Sequence, residues 1–98
     1  MRYSIHLRPG AEVALEEAAK WYEKQREGLG RDFLNEVQHT WNAMAENPHL
    51  YPIVHRDTHR ALIHRFPFAI FYRIERNALV IIAVMHGSRH PKRWQKRT

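Results

Sequence analysis

The sequence predicts an α+β fold of two layers, β-α-α-β-β-β, in which an antiparallel helix hairpin packs on a mainly antiparallel four-stranded sheet. Three observations carry that expectation. Two segments between residues 11 and 46 repeat apolar side chains at helical spacing, and a glycine-bearing turn joins them. After residue 57, three short segments alternate or run apolar in the manner of strands. With 98 residues and 44% hydrophobic composition, the chain has room for one small core and one domain spanning 1–98, with 87–98 as a basic tail.

Each element follows from its local pattern. Tyr3, Ile5 and Leu7 alternate with Ser4, His6 and Arg8, the period of a strand with one buried face, and Pro9-Gly10 ends it. From Ala11 to about Arg26, Leu15, Ala18, Ala19 and Tyr22 recur at helical spacing in a segment rich in Ala and Glu. Gly28 and Gly30 mark the turn. A second helix is expected from about Arg31 to Glu46 on the stripe Phe33, Val37, Trp41 and Met44, stopped by Asn47-Pro48.

Residues 49–57 read as an irregular connector containing Tyr51-Pro52. Thr58 to Arg65, Phe68 to Ile74 and Leu79 to His86 then read as strands, divided by Phe66-Pro67 and by a tight turn at Arg76-Asn77. Phe68, Ile70, Tyr72 and Ile74 share one face; Ala69, Phe71 and Arg73 take the other. The last strand is apolar on both faces, which places it inside the sheet with cover on each side, Trp94 folding back being one source of cover. The N-terminal strand is expected beside this last strand, followed by the third and then the second.

Charge is divided between the halves. Residues 1–52 hold six Lys/Arg and eight Asp/Glu, whereas residues 53–98 hold ten Lys/Arg against only Asp57 and Glu75. A field so one-sided suits an acidic partner, whether nucleic acid or an acidic protein segment. Cysteine is absent, which removes disulfides and thiolate chemistry and suits a reducing cytoplasm. No apolar run is long enough to span a bilayer, so no membrane role is expected.

Several chemistries are excluded by what is missing. Eight histidines invite a metal reading, yet Pro91 opposes a helix that would align His86 with His90, and His55, His59 and His64 are scattered over a connector and a strand. No metal site or cofactor is expected. There is no glycine-rich phosphate loop and no nucleophile elbow. What remains is a cationic surface of Arg60, Arg65, Arg73, Arg89, His90, Lys92, Arg93, Trp94, Lys96 and Arg97, with His86 at its border. Metal-free RNA cleavage needs a base for the 2′-hydroxyl, a cation for the phosphorane and an acid for the leaving oxygen, and histidines and arginines can fill those roles. The plainer readings are that His86 bonds its strand neighbours, that Arg60 and Arg73 pair with helix glutamates, and that Trp94 anchors a tail.

At the level of motifs, the chain resembles the RelE/ParE superfamily of bacterial type II toxins, and its ParE-like branch more closely. The resemblance rests on the N-terminal strand followed by Pro9 and Ala11, on Ala19-Lys20-Trp21-Tyr22, Phe33, Asn47-Pro48 and Arg60, and on the run from Phe66 to Tyr72. His86, Arg89, Pro91, Trp94 and Arg97 complete it. It implies a cognate antitoxin that wraps the toxin in a hetero-oligomer and blocks growth inhibition. RelE-like members cleave messenger RNA in the A site of the 70S ribosome; ParE-like members inhibit DNA gyrase, serve plasmid stabilisation and are not nucleases. For the ribonuclease reading, His86 and Arg89 would be catalytic, with Arg60 and Arg73 as phosphate contacts. The RelE-type strand lysines and C-terminal tyrosine have no counterpart here, which favours gyrase as the target. A non-toxic antitoxin-binding module is the third reading.

Overall fold

In the computed structural model of the chain, residues 3–87 are described. Strand β1 (Ser4–Leu7) leads into helix α1 (Pro9–Gln25), where Pro9 occupies the first helical turn, a position whose N–H has no partner in any helix. Ala11, Leu15, Ala18 and Tyr22 form its buried stripe. The chain turns through Gly28 at φ 87°, a left-handed conformation that glycine adopts without steric cost, and α2 runs from Leu29–Glu46. Its buried stripe is Phe33, Val37, Thr40, Met44 and Ala45, with Trp41 half-buried beside it.

Asn47-Pro48 ends α2 as expected, and a single 3-10 turn follows over Pro48–Leu50. The sheet then builds through β2 (Ile53–His55), β3 (Thr58–Leu62), β4 (Phe68–Glu75) and β5 (Ala78–His86). Among the described residues it has five strands in the order β1-β5-β4-β3-β2. The two-layer α+β class therefore stands, while the expected four-stranded sheet needs two corrections.

The first is β2, a three-residue strand inside what reads as an irregular connector; it is too short to show alternation and is shifted in register between Ile53 and His55. The second is direction. Strand β1 lies parallel to β5, with Ser4 opposite Ala78 and Leu7 opposite Ile81, so the sheet is mixed. These corrections are linked, because β2 adds one hairpin reversal and so turns the final strand parallel to the first.

Both helices cover one face of the sheet. There the core gathers Leu15, Tyr22, Phe33, Val37, Met44, Ile70, Tyr72, Leu79 and Ile81. An aromatic cluster fastens the hairpin to the β3–β4 connection: Tyr22 and Phe66 have ring centroids 4.8 Å apart, and Phe33 lies 5.3 Å from both Phe66 and Phe68. Tilted and edge-to-face rings at these distances add to the burial itself. Tyr72 donates from its hydroxyl to the Pro48 carbonyl at 2.7 Å, tying β4 to the turn after α2. Burial, and then the neighbouring Tyr51, hold that phenol well above its ordinary pKa.

Candidate functional site

Alternation along β4 decides which side chains share the sheet face opposite the helices. Phe68, Ile70, Tyr72 and Ile74 join the helix-side core, while Ala69 and Phe71 enter a second apolar cluster on the outer face. Register extends that face to the neighbouring strands. Arg60 stands opposite Phe71 and Leu62 opposite Ala69, so both project outward from β3, and both are exposed. Thr58, two residues before Arg60, shares their face and comes beside Arg73, because the adjoining pair is His59 with Tyr72.

A row of side chains consequently crosses all five strands of the outer face. His6 opposes Val80, Val80 opposes Arg73, Arg73 adjoins Thr58, and Thr58 opposes His55. Adjacent strands lie about 4.8 Å apart, so His6 and His55 each stand roughly 10 Å across the sheet from Arg73. Arg73 donates from Nη2 to Glu75 Oε2 at 2.9 Å. Its Nε has no hydrogen-bond partner, and neither has Thr58 Oγ1.

A bulge on β5 redirects the remaining candidate. Tyr72 opposes Ile81 and Phe71 opposes Ala83, leaving Ile82 as the extra residue. Ile82 and Ala83 both enter the outer cluster, and Val84 returns to the helix side. His86 then opposes Phe68, its ring 5.3 Å from that phenyl ring in an edge-on contact. Strict alternation from Leu79 would have turned His86 to the outer face with Arg73. The bulge places it on the opposite face.

Arg65 is also separated from the outer pair. It sits in the β3–β4 connection at φ 74°, with Nη2 3.9 Å from Asp32 and Nη1 4.0 Å from Glu36 on α2, and its guanidinium 5.5 Å from the Phe66 ring. His64 and His39 approach the same Glu36 carboxylate at 3.7 and 3.8 Å. This cluster joins the sheet to α2 and gives Arg65 the plain role of an intramolecular cation. Arg73 pairs with Glu75 of its own strand rather than with a helix carboxylate.

Of the sequence candidates, the structure thus brings Arg60 and Arg73 together and assigns Arg65 and His86 elsewhere. Arg89, His90, Lys92, Arg93, Trp94, Lys96 and Arg97 lie outside the described residues. The sequence did not single out Thr58, which the register places, buried, beside Arg73. Its signal was the two-residue spacing to Arg60, but a lone threonine at a strand start carries no chemistry until its neighbours are known.

Two grooves open elsewhere. One of about 740 Å³ runs between β1 and the helices, lined by Ile5, Leu7, Leu15, Ala19, Leu34 and Trp41. The other, about 530 Å³, is bordered by His49, Tyr51, Ile53, Asp57 and His59. His59 Nδ1 donates to the Tyr51 carbonyl at 2.7 Å and its ring stacks on Tyr72 at 5.2 Å, contacts that hold the imidazole as part of the core. Among the described residues no three His, Asp or Glu side chains converge as metal ligands, and no helix is long and apolar enough to cross a membrane.

Comparison with known proteins agrees with this architecture. Residues 5–91 match the family profile described as ParE toxin of type II toxin-antitoxin system, parDE. The fold is similar to a structure of the chromosomal ParDE toxin-antitoxin system from P. aeruginosa, with TM-score 0.75, 11% identity, and coverage of 87% of this chain and 96% of that one. It is also similar to a mutant of E. coli toxin RelE in the free state, with TM-score 0.68, 12% identity and coverage of 90% and 86%. The toxin-antitoxin complex RelBE2 from Mycobacterium tuberculosis gives TM-score 0.63, 17% identity and coverage of 88% and 99%. No curated protein sequence matches significantly.

Proposed function

The chain belongs to the ParE toxin family of type II toxin-antitoxin systems, and from that premise we propose that it is a cytoplasmic inhibitor of DNA gyrase, neutralised by a cognate antitoxin bound to it in a hetero-oligomer. The observation that favours gyrase over message cleavage is the orientation of His86. An RNA-cleaving site needs proton-transfer groups and cations converging on one phosphate. His86 faces the helix-side aromatic residues, whereas Arg60 and Arg73 occupy the other face. His6 and His55 share the outer face but flank Arg73 at roughly 10 Å on either side, too far to act as an acid-base pair on one phosphate with it. The outer face suits docking: Arg60 is exposed, Arg73 partly exposed, and the apolar side chain of Leu62, two residues beyond Arg60 on the same face, is exposed as well.

The second reading, a RelE-like ribonuclease acting on the 70S ribosome with bound mRNA, draws on the similarity to E. coli RelE and on the chain's excess of cations. The two readings separate in one assay on programmed ribosomes. Message should stay intact in the presence of the purified toxin, and growth arrest on expression should be relieved by co-expressed antitoxin. Message cut at the A-site codon, with cleavage lost on replacing His86 or Arg89, would transfer the assignment to the ribonuclease.

A further inference from the structure

Strand β1 forms one border of the sheet, and among the described residues no strand lies beyond it. Ser4 N donates to the Asn77 carbonyl at 3.0 Å and Arg8 N to the Ile81 carbonyl at 3.1 Å, so Ser4, His6 and Arg8 turn their backbone groups towards β5. Ile5 and Leu7 alternate with them and turn theirs outward. A sheet edge whose donors and acceptors point away from the fold is a template for another strand. Both ends of this ledge are closed, because Tyr3 N is held by the Ala45 carbonyl at 3.2 Å and Pro9 has no N–H to offer. Only Ile5 and Leu7 remain.

We propose that two copies of this chain associate through β1, antiparallel about a twofold axis at His6, so that their sheets join into one. The ledge itself dictates the register. Ile5 of each copy exchanges both backbone hydrogen bonds with Leu7 of the other, and His6 faces its own image in the closely spaced pair between them. The next in-phase register in either direction sets Tyr3 or Pro9 against this pair, and neither has a free N–H. The axis stands across the sheet, which leaves both helix layers on one side and brings together the grooves that run beside β1. Those grooves are walled by Leu15, Ala19, Leu34 and Trp41, with Leu34 46% exposed, so their meeting covers apolar surface. Glu12 and Glu16 with Lys20 give the rim both signs, and such a rim meets its twofold image without a like-charged front. A second copy also presents its strand already ordered, whereas an unstructured segment making the same bonds bears the cost of ordering.

The full chain would be followed by sedimentation equilibrium over about a hundredfold range of concentration, with amide hydrogen exchange read on the same samples. Dimer should accumulate with concentration, and the Ile5 and Leu7 amides should gain protection in step with it. His6 is exposed on the outer face, so its replacement leaves the core of each copy intact. His6→Lys sets two cations against each other at the axis and should weaken the dimer roughly fivefold; His6→Thr adds no charge, suits a strand, and should preserve it. An unchanged melting temperature at low concentration shows that each variant is folded. A monomer throughout the range, or a dimer that His6→Lys leaves as tight as before, would overturn the proposal. Protection of Ile5 and Leu7 that appears only when purified antitoxin is added would overturn it in favour of a strand supplied by another protein.

Discussion

Glu23 supplies at the start of α2 the cap that the residue there cannot. Gly28 has no side chain, and no side-chain cap bond is made at that position. The Glu23 carboxylate reaches across the interhelix turn and accepts from Gly28 N and Gly30 N, each at 3.0 Å. Those two backbone donors hold its pKa below the ordinary carboxylate value. A carboxyl depressed on folding contributes stability that is present above its unfolded pKa, near 4.3, and is lost as pH falls through the lower native value. Glu23→Gln should therefore lower the urea midpoint at pH 7, and the gap from the unaltered protein should close as the pH is taken below about 4. Gly30 is needed for a different reason: a Cβ there would lie 2.7 Å from the Ala19 carbonyl oxygen, on the facing helix backbone. Gly30→Ala should cost about 1–3 kcal/mol in urea unfolding, since backbone must move to admit the methyl group. Neither role was legible in sequence. The two glycines announced a turn, but not which residue would bond to it.

Elements were legible where they carried a period. The stripes Leu15, Ala18, Tyr22 and Phe33, Val37, Met44 placed both helices, and the alternation from Phe68 to Ile74 placed the faces of β4. What escaped was irregular. Three residues of β2 are too few for a pattern, and its one reversal decided whether β1 would lie parallel to β5. The β5 bulge was hidden because Ile82, Ala83 and Val84 are all apolar, so a slip between faces leaves no mark in the hydropathy. Its consequence falls on His86. Phe33, which is fully buried and meets Tyr22, Phe66 and Phe68, is one of the side chains that join the helix layer to the sheet. Phe33→Ala should cost about 3–5 kcal/mol in equilibrium unfolding, with loss of near-ultraviolet dichroism before helix content.

At the scale of the molecule, the chain separates charge by layer. Asp32 and most of the glutamates lie on the helices, whereas Arg56, Arg60, Arg65, Arg73 and Arg76 belong to the sheet and its turns. Arg56, Arg65 and Arg76 each sit at positive φ in a connection between strands, and the turns accept that backbone cost at residues that also carry charge. The basic half visible in sequence thus corresponds to the sheet layer, but its cations do not all serve one surface. Only Arg60 and Arg73, among the described candidates, share the outer face.

The gyrase assignment is tested most directly by supercoiling of relaxed plasmid with purified gyrase, the full toxin chain and its antitoxin. The account predicts that toxin stops supercoiling, that equimolar antitoxin restores it, and that the Arg60→Glu, Arg73→Glu double variant fails to inhibit while remaining folded. Undisturbed supercoiling at toxin concentrations that arrest growth would contradict it.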